Sequence, residues 1–209
     1  PIVDPATGLT SEPQGSYYLG NINPDLTGGI STTFRYKDLR FSANFSAQVG
    51  GKTYSVSAAL LGCGGTLKNT IEGRYDGFVT PGFNYVVEDE DGNKIYKPNE
   101  TICSNVYKYY FNGPTNRYNF EAYTYDMSFL KLKELRVEYS LPKNVIKATK
   151  ILQGVSIAAY ASNVFCISKY PLYDPESAGS RTGGTIKKGI ESGTFPMNRS
   201  YGLNLKLKF

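Results

Sequence analysis

Tyr201-Gly202-Leu203-Asn204-Leu205-Lys206-Leu207-Lys208-Phe209 alternates without a break: odd positions are apolar or aromatic, even positions are Gly, Asn or Lys. Period-two alternation sends successive side chains to opposite faces, so the stretch reads as a β-strand with one greasy and one wet face. A Phe beside the chain carboxylate needs a burial site in a water-soluble protein. At a bilayer interface it needs none. A soluble sandwich strand shows the same alternation, so the choice rests on the rest of the chain.

The pattern recurs upstream. In residues 39–49, Leu39, Phe41, Ala43, Phe45, Ala47 and Val49 alternate with Arg40, Ser42, Asn44, Ser46 and Gln48. About eleven residues of alternation suit a tilted membrane-spanning strand and roughly double a typical soluble one. A strand over 30–36 precedes it, across a two-residue turn at Lys37-Asp38 that lacks the customary Gly. Another runs over 127–140, with a phase slip at Lys133-Glu134 that signals a β-bulge. A fourth covers 152–162, where Val155, Ile157, Ala159 and Ala161 share a face. With 201–209 these make five spans.

The connections alternate in length. Those at Lys37-Asp38 and 142–150 are short, whereas 50–126 and 164–200 are long loops. Soluble sandwiches seldom collect such loops at one end. Membrane barrels do, with short turns inside and long loops outside. The fold class expected is therefore all-β: a membrane-spanning antiparallel β-barrel segment over 30–209, entered from an extracellular loop over 1–29.

Composition agrees. Tyr (18), Phe (11) and Gly (22) are abundant, as aromatic anchors and open turns require, and Trp and His are absent. The formal charge of +5 comes from Lys and Arg scattered among apolar residues, which reads as a solvated face and not as a nucleic-acid patch. No run approaches the roughly 18 apolar residues of a membrane helix. The chain opens on Pro1 without a Met or signal peptide, as a processed or partial chain does.

Candidate sites follow from the alternation. Arg40, Asn44, Gln48, Arg136 and Glu138 are expected to face the lumen, lining a path or linking the wall to its contents. Tyr170 and Tyr173 could stack on cargo or pack locally. Asp174-Pro175-Glu176 offers two carboxylates to calcium in an outer loop, or a rigid turn. Glu88–Asn93 fails as an EF-hand, since alignment on Gly92 puts Val87 and Pro98 at ligand positions; a hairpin turn at Asp91-Gly92 fits better. Three cysteines without CxxC spacing argue against a metal site and leave open whether Cys63 and Cys103 pair. Without His there is no Ser-His-Asp or Cys-His arrangement, and no catalytic residue is expected.

Several motifs carry a resemblance. Gly20-Asn21-Ile22-Asn23-Pro24-Asp25-Leu26, Gly28-Gly29, Phe129–Pro142, Asn163-Val164-Phe165, Lys169-Tyr170, Tyr173-Asp174-Pro175-Glu176 and Phe195-Pro196 occur in the order and spacing seen in SusC/RagA-type TonB-linked outer-membrane proteins of Bacteroidetes. The chain resembles their C-terminal part, departing at Pro171-Leu172 and Met197-Asn198-Arg199, both in expected loops. The resemblance implies a barrel of about 22 strands, closed by a plug absent from this chain because so wide a lumen would leak. It also implies an outer-membrane location in a Gram-negative cell, a SusD-like lipoprotein partner, and energising by the TonB complex through the plug. The implied function is import of oligosaccharides or peptides, without a cofactor. Tyr201 and Phe209 would form the strand signal read during barrel assembly. A non-transporting binding or structural barrel segment is the alternative.

Overall fold

The computed structural model describes residues 2–10, 15–111, 120–148, 151–177, 180–182 and 185–209. The chain divides into two compact units: residues 1–20, 54–124 and 180–193 form one, and residues 21–53, 125–179 and 194–209 the other.

The second unit is a five-stranded antiparallel meander. Its strands are β1 (Pro24–Tyr36), β2 (Leu39–Gly50), β3 (Phe129–Ser140), β4 (Gly154–Ser168) and β5 (Ser200–Lys208), hydrogen-bonded in chain order. Each strand returns antiparallel to its neighbour in sequence, across a short turn from β1 to β2 and a short connection from β3 to β4, and across long segments from β2 to β3 and from β4 to β5. β1 and β5 are its edges, and the sheet does not close on itself.

Register makes the two faces continuous. Phe34, Phe41, Val137, Ala159 and Leu203 lie side by side across all five strands, as do Tyr36, Leu39, Tyr139, Ile157 and Leu205. These side chains are not a core: Phe34, Tyr139, Ile157 and Leu205 are all exposed, and Leu203 is 81% exposed. Phe41 is 37% exposed, so the sandwich reading, with Phe41 buried in a core of this chain, is excluded. So wide an apolar sheet face is expected against lipid and not against water. Among the described residues no helix is long and apolar enough to cross a membrane, which says nothing of crossing by strands.

Several strand limits differ from the sequence reading. β1 begins at Pro24, inside the segment read as loop over 1–29; Gly28 and Gly29 present no side-chain alternation, yet their backbones pair with Ala47 and Ser46. Pro24 takes the first position of a strand, where a missing N–H is tolerated. β4 runs on to Ser168, past the expected limit at 162 and into the loop read from 164. Asn163 adopts left-handed φ (53°) and forms a bulge with Val164 opposite Lys133; pairing resumes at Phe165–Leu132 with the side-chain phase of β4 kept, so that Phe165 and Ile167 share the face of Ala159 and Ala161. Asn tolerates that conformation better than most residues. Its Nδ2 donates to the Asn198 carbonyl (2.8 Å) and its own carbonyl accepts from Arg199 Nε (3.0 Å), which leads the chain into β5. Phe129 and not Met127 opens β3, because Asp126 accepts from the Ser128 N–H and hydroxyl and turns the backbone there.

The first unit gathers most of the long loops. Residues 50–126, read as irregular, contain two short helices, α1 (Val56–Cys63) and α2 (Val106–Phe111). Ser55 caps α1, its hydroxyl accepting from the Ala58 N–H at 3.0 Å. Strands Phe83–Glu88 and Lys94–Pro98 form a hairpin with a five-residue loop rather than a two-residue turn, and Gly92 supplies its positive φ of 80°. Asp89 closes the loop: the backbone N–H and side chain of Asn93 and the N–H of Asp91 hold its carboxyl below the usual range. Val3, Thr80 and Cys103 are buried together with Ala58, Ala59 and Val106 in this unit. Burial pushes the Cys103 thiol up, and Cys63, Cys103 and Cys166 are all thiols.

Candidate functional site

The polar face of the sheet collects the lumen candidates. Arg40 stands between Arg35 and Glu138 in one cross-strand row; Asn44 stands between Ser31 and Glu134 in another. Arg136 lies one same-face step from Glu138 and donates to it from Nη2 at 2.9 Å. Asn44 Nδ2 donates to Glu134 Oε2 at 3.1 Å. Gln48 is turned to structural use, its amide donating to the carbonyls of Gly50 (3.2 Å) and Met127 (3.3 Å) where the strands give way to loop. Register thus brings these candidates onto one surface, because β2 and β3 are direct neighbours.

Lys131 was not singled out from the sequence, yet it organises the other end of this face. Its side chain is 1% exposed and its ammonium donates to Asp174 and, at 3.3 Å, to Glu176. Lys133, at the bulge, pairs with the other Glu176 oxygen. The loop after β4 is therefore held down onto β3 by ammonium groups. Asp174 also accepts from the Glu176 N–H at 3.0 Å, making the rigid Asp-Pro turn. The two carboxylates considered for calcium are engaged by lysines, and among the described residues no cluster of metal-ligating side chains occurs. A carboxylate already paired with two ammonium groups is a poor start for a cation site.

The tyrosines of the same loop differ from one another. Tyr170 is 6% exposed and packs edge-on against Tyr125, ring centroids 5.7 Å apart, which makes it a packing residue. Tyr173 is half-buried. Tyr201 and Phe209 are exposed on the apolar side of the last strand, with Tyr201 opposite Ala161 and Phe209 just beyond the strand end.

In the loop unit, Glu191 is fully buried. Ser55 and Ser57 donate their hydroxyls to its two oxygens at 2.5 and 2.7 Å, and the Gly193 N–H donates to Ser57 Oγ. A carboxylate at the N-terminus of α1 is favoured by the helix dipole. This pin ties strand Ile190–Glu191 to Tyr54–Ser55, with which it runs parallel. Local sequence gives no sign of it, because the partners lie 136 residues apart.

No family model matches the chain. It is similar to TonB-dependent receptors of Formosa agariphila: 26% identical over 196 residues to the one designated P3, and 24% over 195 residues to P26. Each match takes in 91% of this chain but only 17% and 18% of the relative, so the chain spans less than a fifth of their length. Among solved structures it is similar to the RagAB peptide importer. The open-open state matches with TM-score 0.60 at 19% identity, over 99% of this chain and 21% of that one; the closed-closed state matches with TM-score 0.57 at 20% identity, over 90% and 18%. The resemblance drawn from the motifs holds: the chain is similar to TonB-dependent outer-membrane proteins of the SusC/RagA type, and its fold is that of a β-barrel segment.

Proposed function

We propose that this chain supplies barrel wall and outer loops to a TonB-dependent outer-membrane importer of oligosaccharides or peptides, working with a SusD-like surface lipoprotein. The observation that carries the reading is the five-stranded sheet with one predominantly apolar face and an opposite face rich in Arg, Glu, Asn and Ser. Lipid accepts the first and a watery lumen the second. The similarity to TonB-dependent receptors supports the energised-import part of the reading.

In this reading β1 to β5 are a sector of the wall, and the unit containing α1 and α2 is the outer-loop material. The Lys37-Asp38 turn lies on the periplasmic side. The sector's chemistry is passive: it offers a surface, and the energy arrives through a plug outside these residues. Deleting the gene in its native host should abolish uptake of the cognate oligomer while leaving its capture by the surface lipoprotein intact. Collapsing the inner-membrane proton gradient should stop uptake in the wild type as well. Loss of complex assembly with uptake unchanged would overturn the reading in favour of a structural barrel.

A further inference from the structure

The unit built from the long loops holds a cavity of about 480 Å³, where the end of α1 and the segment behind it meet α2. That size lies within the roughly 300–1,000 Å³ of pockets that take small ligands. Cys63 and the buried Val106 form apolar wall, Tyr107 stands 67% exposed, and Arg74 brings the only charge among the described lining residues. Neutral groups hold Arg74 in place. Its Nε donates to the Thr70 carbonyl at 2.7 Å, and its Nη2 donates to Thr70 Oγ1 at 3.0 Å and to the Gly65 carbonyl. Among the described residues no carboxylate pairs with it, although Glu72 and Asp76 are near neighbours in sequence. Three donors are thus spent on orientation, and the two Nη1 N–H groups and the whole positive charge remain for a ligand. A cation fixed before its ligand arrives gives up little freedom on binding.

The lining indicates the kind of anion. The Gly64 N–H donates to the Leu60 carbonyl at 2.9 Å and the Gly65 N–H to the Gly62 carbonyl at 3.0 Å. The Thr70 hydroxyl donates to the Leu67 carbonyl at 2.6 Å while it accepts from Arg74. Apart from Nη1, these polar groups of the wall are already engaged. An acidic sugar would bring several hydroxyls to a wall with few groups left to answer them, and a polar group buried without a partner is costly. A carboxylate next to an apolar side chain makes no such demand. Nη1 meets the carboxylate in a charge-assisted hydrogen bond, while Val106, Cys63 and the Tyr107 ring meet the side chain. The last residue of a peptide has that make-up. An internal Asp or Glu does not, because its apolar part is only the short stem that carries the carboxylate.

We infer that this pocket takes the C-terminal carboxylate of a peptide ending in an apolar residue; the inference rests on the import reading above, which places this unit outside the cell. The test uses the purified full-length protein that contains this chain and a fluorescent pentapeptide ending in Leu, made as free acid and as amide. Binding is followed by anisotropy at about 50 mM salt, where charge pairing is weakly screened. The free acid should bind about tenfold tighter than the amide, or more. Arg74→Gln should remove that difference. Lys97→Gln, on a hairpin strand of the same unit and outside the pocket, should keep it. Because Arg74 also ties Gly65 to Thr70, a second measurement uses the wild type alone: the rate of Cys63 alkylation, mapped by mass spectrometry. At a peptide concentration that half-saturates the acid, the acid should lower that rate by about half and the amide by about a tenth or less. Equal binding of acid and amide by the wild type, an acid preference that survives Arg74→Gln, or Cys63 alkylation unchanged by the acid would overturn the inference and leave import standing. So would an oligouronate that protects Cys63 where the peptide acid does not. Acid preference with Cys63 protection but no energised uptake in cells would uphold the pocket and sink the import reading instead.

Discussion

Leu135→Arg tests which face of the sheet meets lipid. Leu135 lies near the middle of the 12-residue β3, between Ala43 and Ala161 on the apolar side. Twelve residues at about 3.4 Å each, tilted by about 40°, rise about 31 Å, which places residue 135 close to the bilayer midplane. Steric cost is small, because the surface beside Leu135 is a shallow concavity floored by Ala159 and Ala161 and edged by Val137, Tyr201 and Leu203. The penalty is therefore one of solvation, about 2–4 kcal/mol for Arg at the midplane of a barrel wall. At about 1.4 kcal/mol per factor of ten, the folded-to-unfolded ratio should fall roughly 30-fold to several hundredfold. The control is Ser162→Arg, on the polar face and directly opposite Glu134, expected within about 0.5 kcal/mol of wild type. Denaturant unfolding of the full-length protein in lipid vesicles, followed by heat-modifiable mobility, gives both values. Equal destabilisation by the two substitutions, or a larger effect at Ser162, would refute the assignment of faces.

Lys131→Met should leave Asp174 without its ammonium partner and cost about 3 kcal/mol; the double change with Asp174→Asn should recover at least half. Unfolding midpoints and proteolysis of the loop over 169–177 check both, and a Lys131→Met protein as resistant as wild type would deny the clamp. Asp126, at the end of the short strand Thr124–Asp126 and outside the five-stranded sheet, is held below the usual carboxylate range, first by the Ser128 hydroxyl and then by the Ser128 N–H, with Lys52 at 3.7 Å. A depressed folded-state value gives stability that is present above the unfolded pKa and lost as pH falls through the folded one, so the loss should come below about pH 4. Ser128→Ala should move the acid-unfolding midpoint upward; no movement would remove Ser128 as the cause. Whole-cell thiol labelling, on a background lacking the native cysteines, should modify Tyr75→Cys in the long loop and spare Lys37→Cys at the short turn, and the reverse pattern would invert the topology.

Sequence periodicity found the strands wherever side chains report the pleat. The slip at Lys133-Glu134 was legible because an extra residue changes parity, and the register shift falls between Leu132 and Glu134 on both sides of β3. Where side chains do not report it, the reading stopped short. Gly28-Gly29 pairs through backbone alone, and the polar, left-handed Asn163 interrupts the run of apolar odd positions that Phe165 and Ile167 resume in the same strand. Helix α1 was missed inside a segment read as irregular because Val56–Cys63 spans little more than two turns and gives helical periodicity little to show; the Ser55 cap was the available signal. The polar-face candidates on β2 and β3 could be grouped because both strands were legible. Lys131 with Asp174, and Ser55 with Glu191, join residues 43 and 136 positions apart, and such pairs become visible only once the strands are placed side by side.

The two sheet edges extend the same physics. β1 and β5 each have one neighbour, and the opposite side of each strand presents unpaired N–H and C=O groups along its length. In water such an edge is solvated. In hydrocarbon each unsatisfied group costs several kcal/mol, as much as or more than the burial of one apolar side chain returns. The apolar face, which places these strands in hydrocarbon, therefore requires both edges to be paired by further strands. A structure of the assembled protein should show hydrogen-bond ladders outward from Pro24–Tyr36 and from Ser200–Lys208 to strands beyond this segment. A small barrel in which those two strands pair with each other would refute the wall-sector assignment.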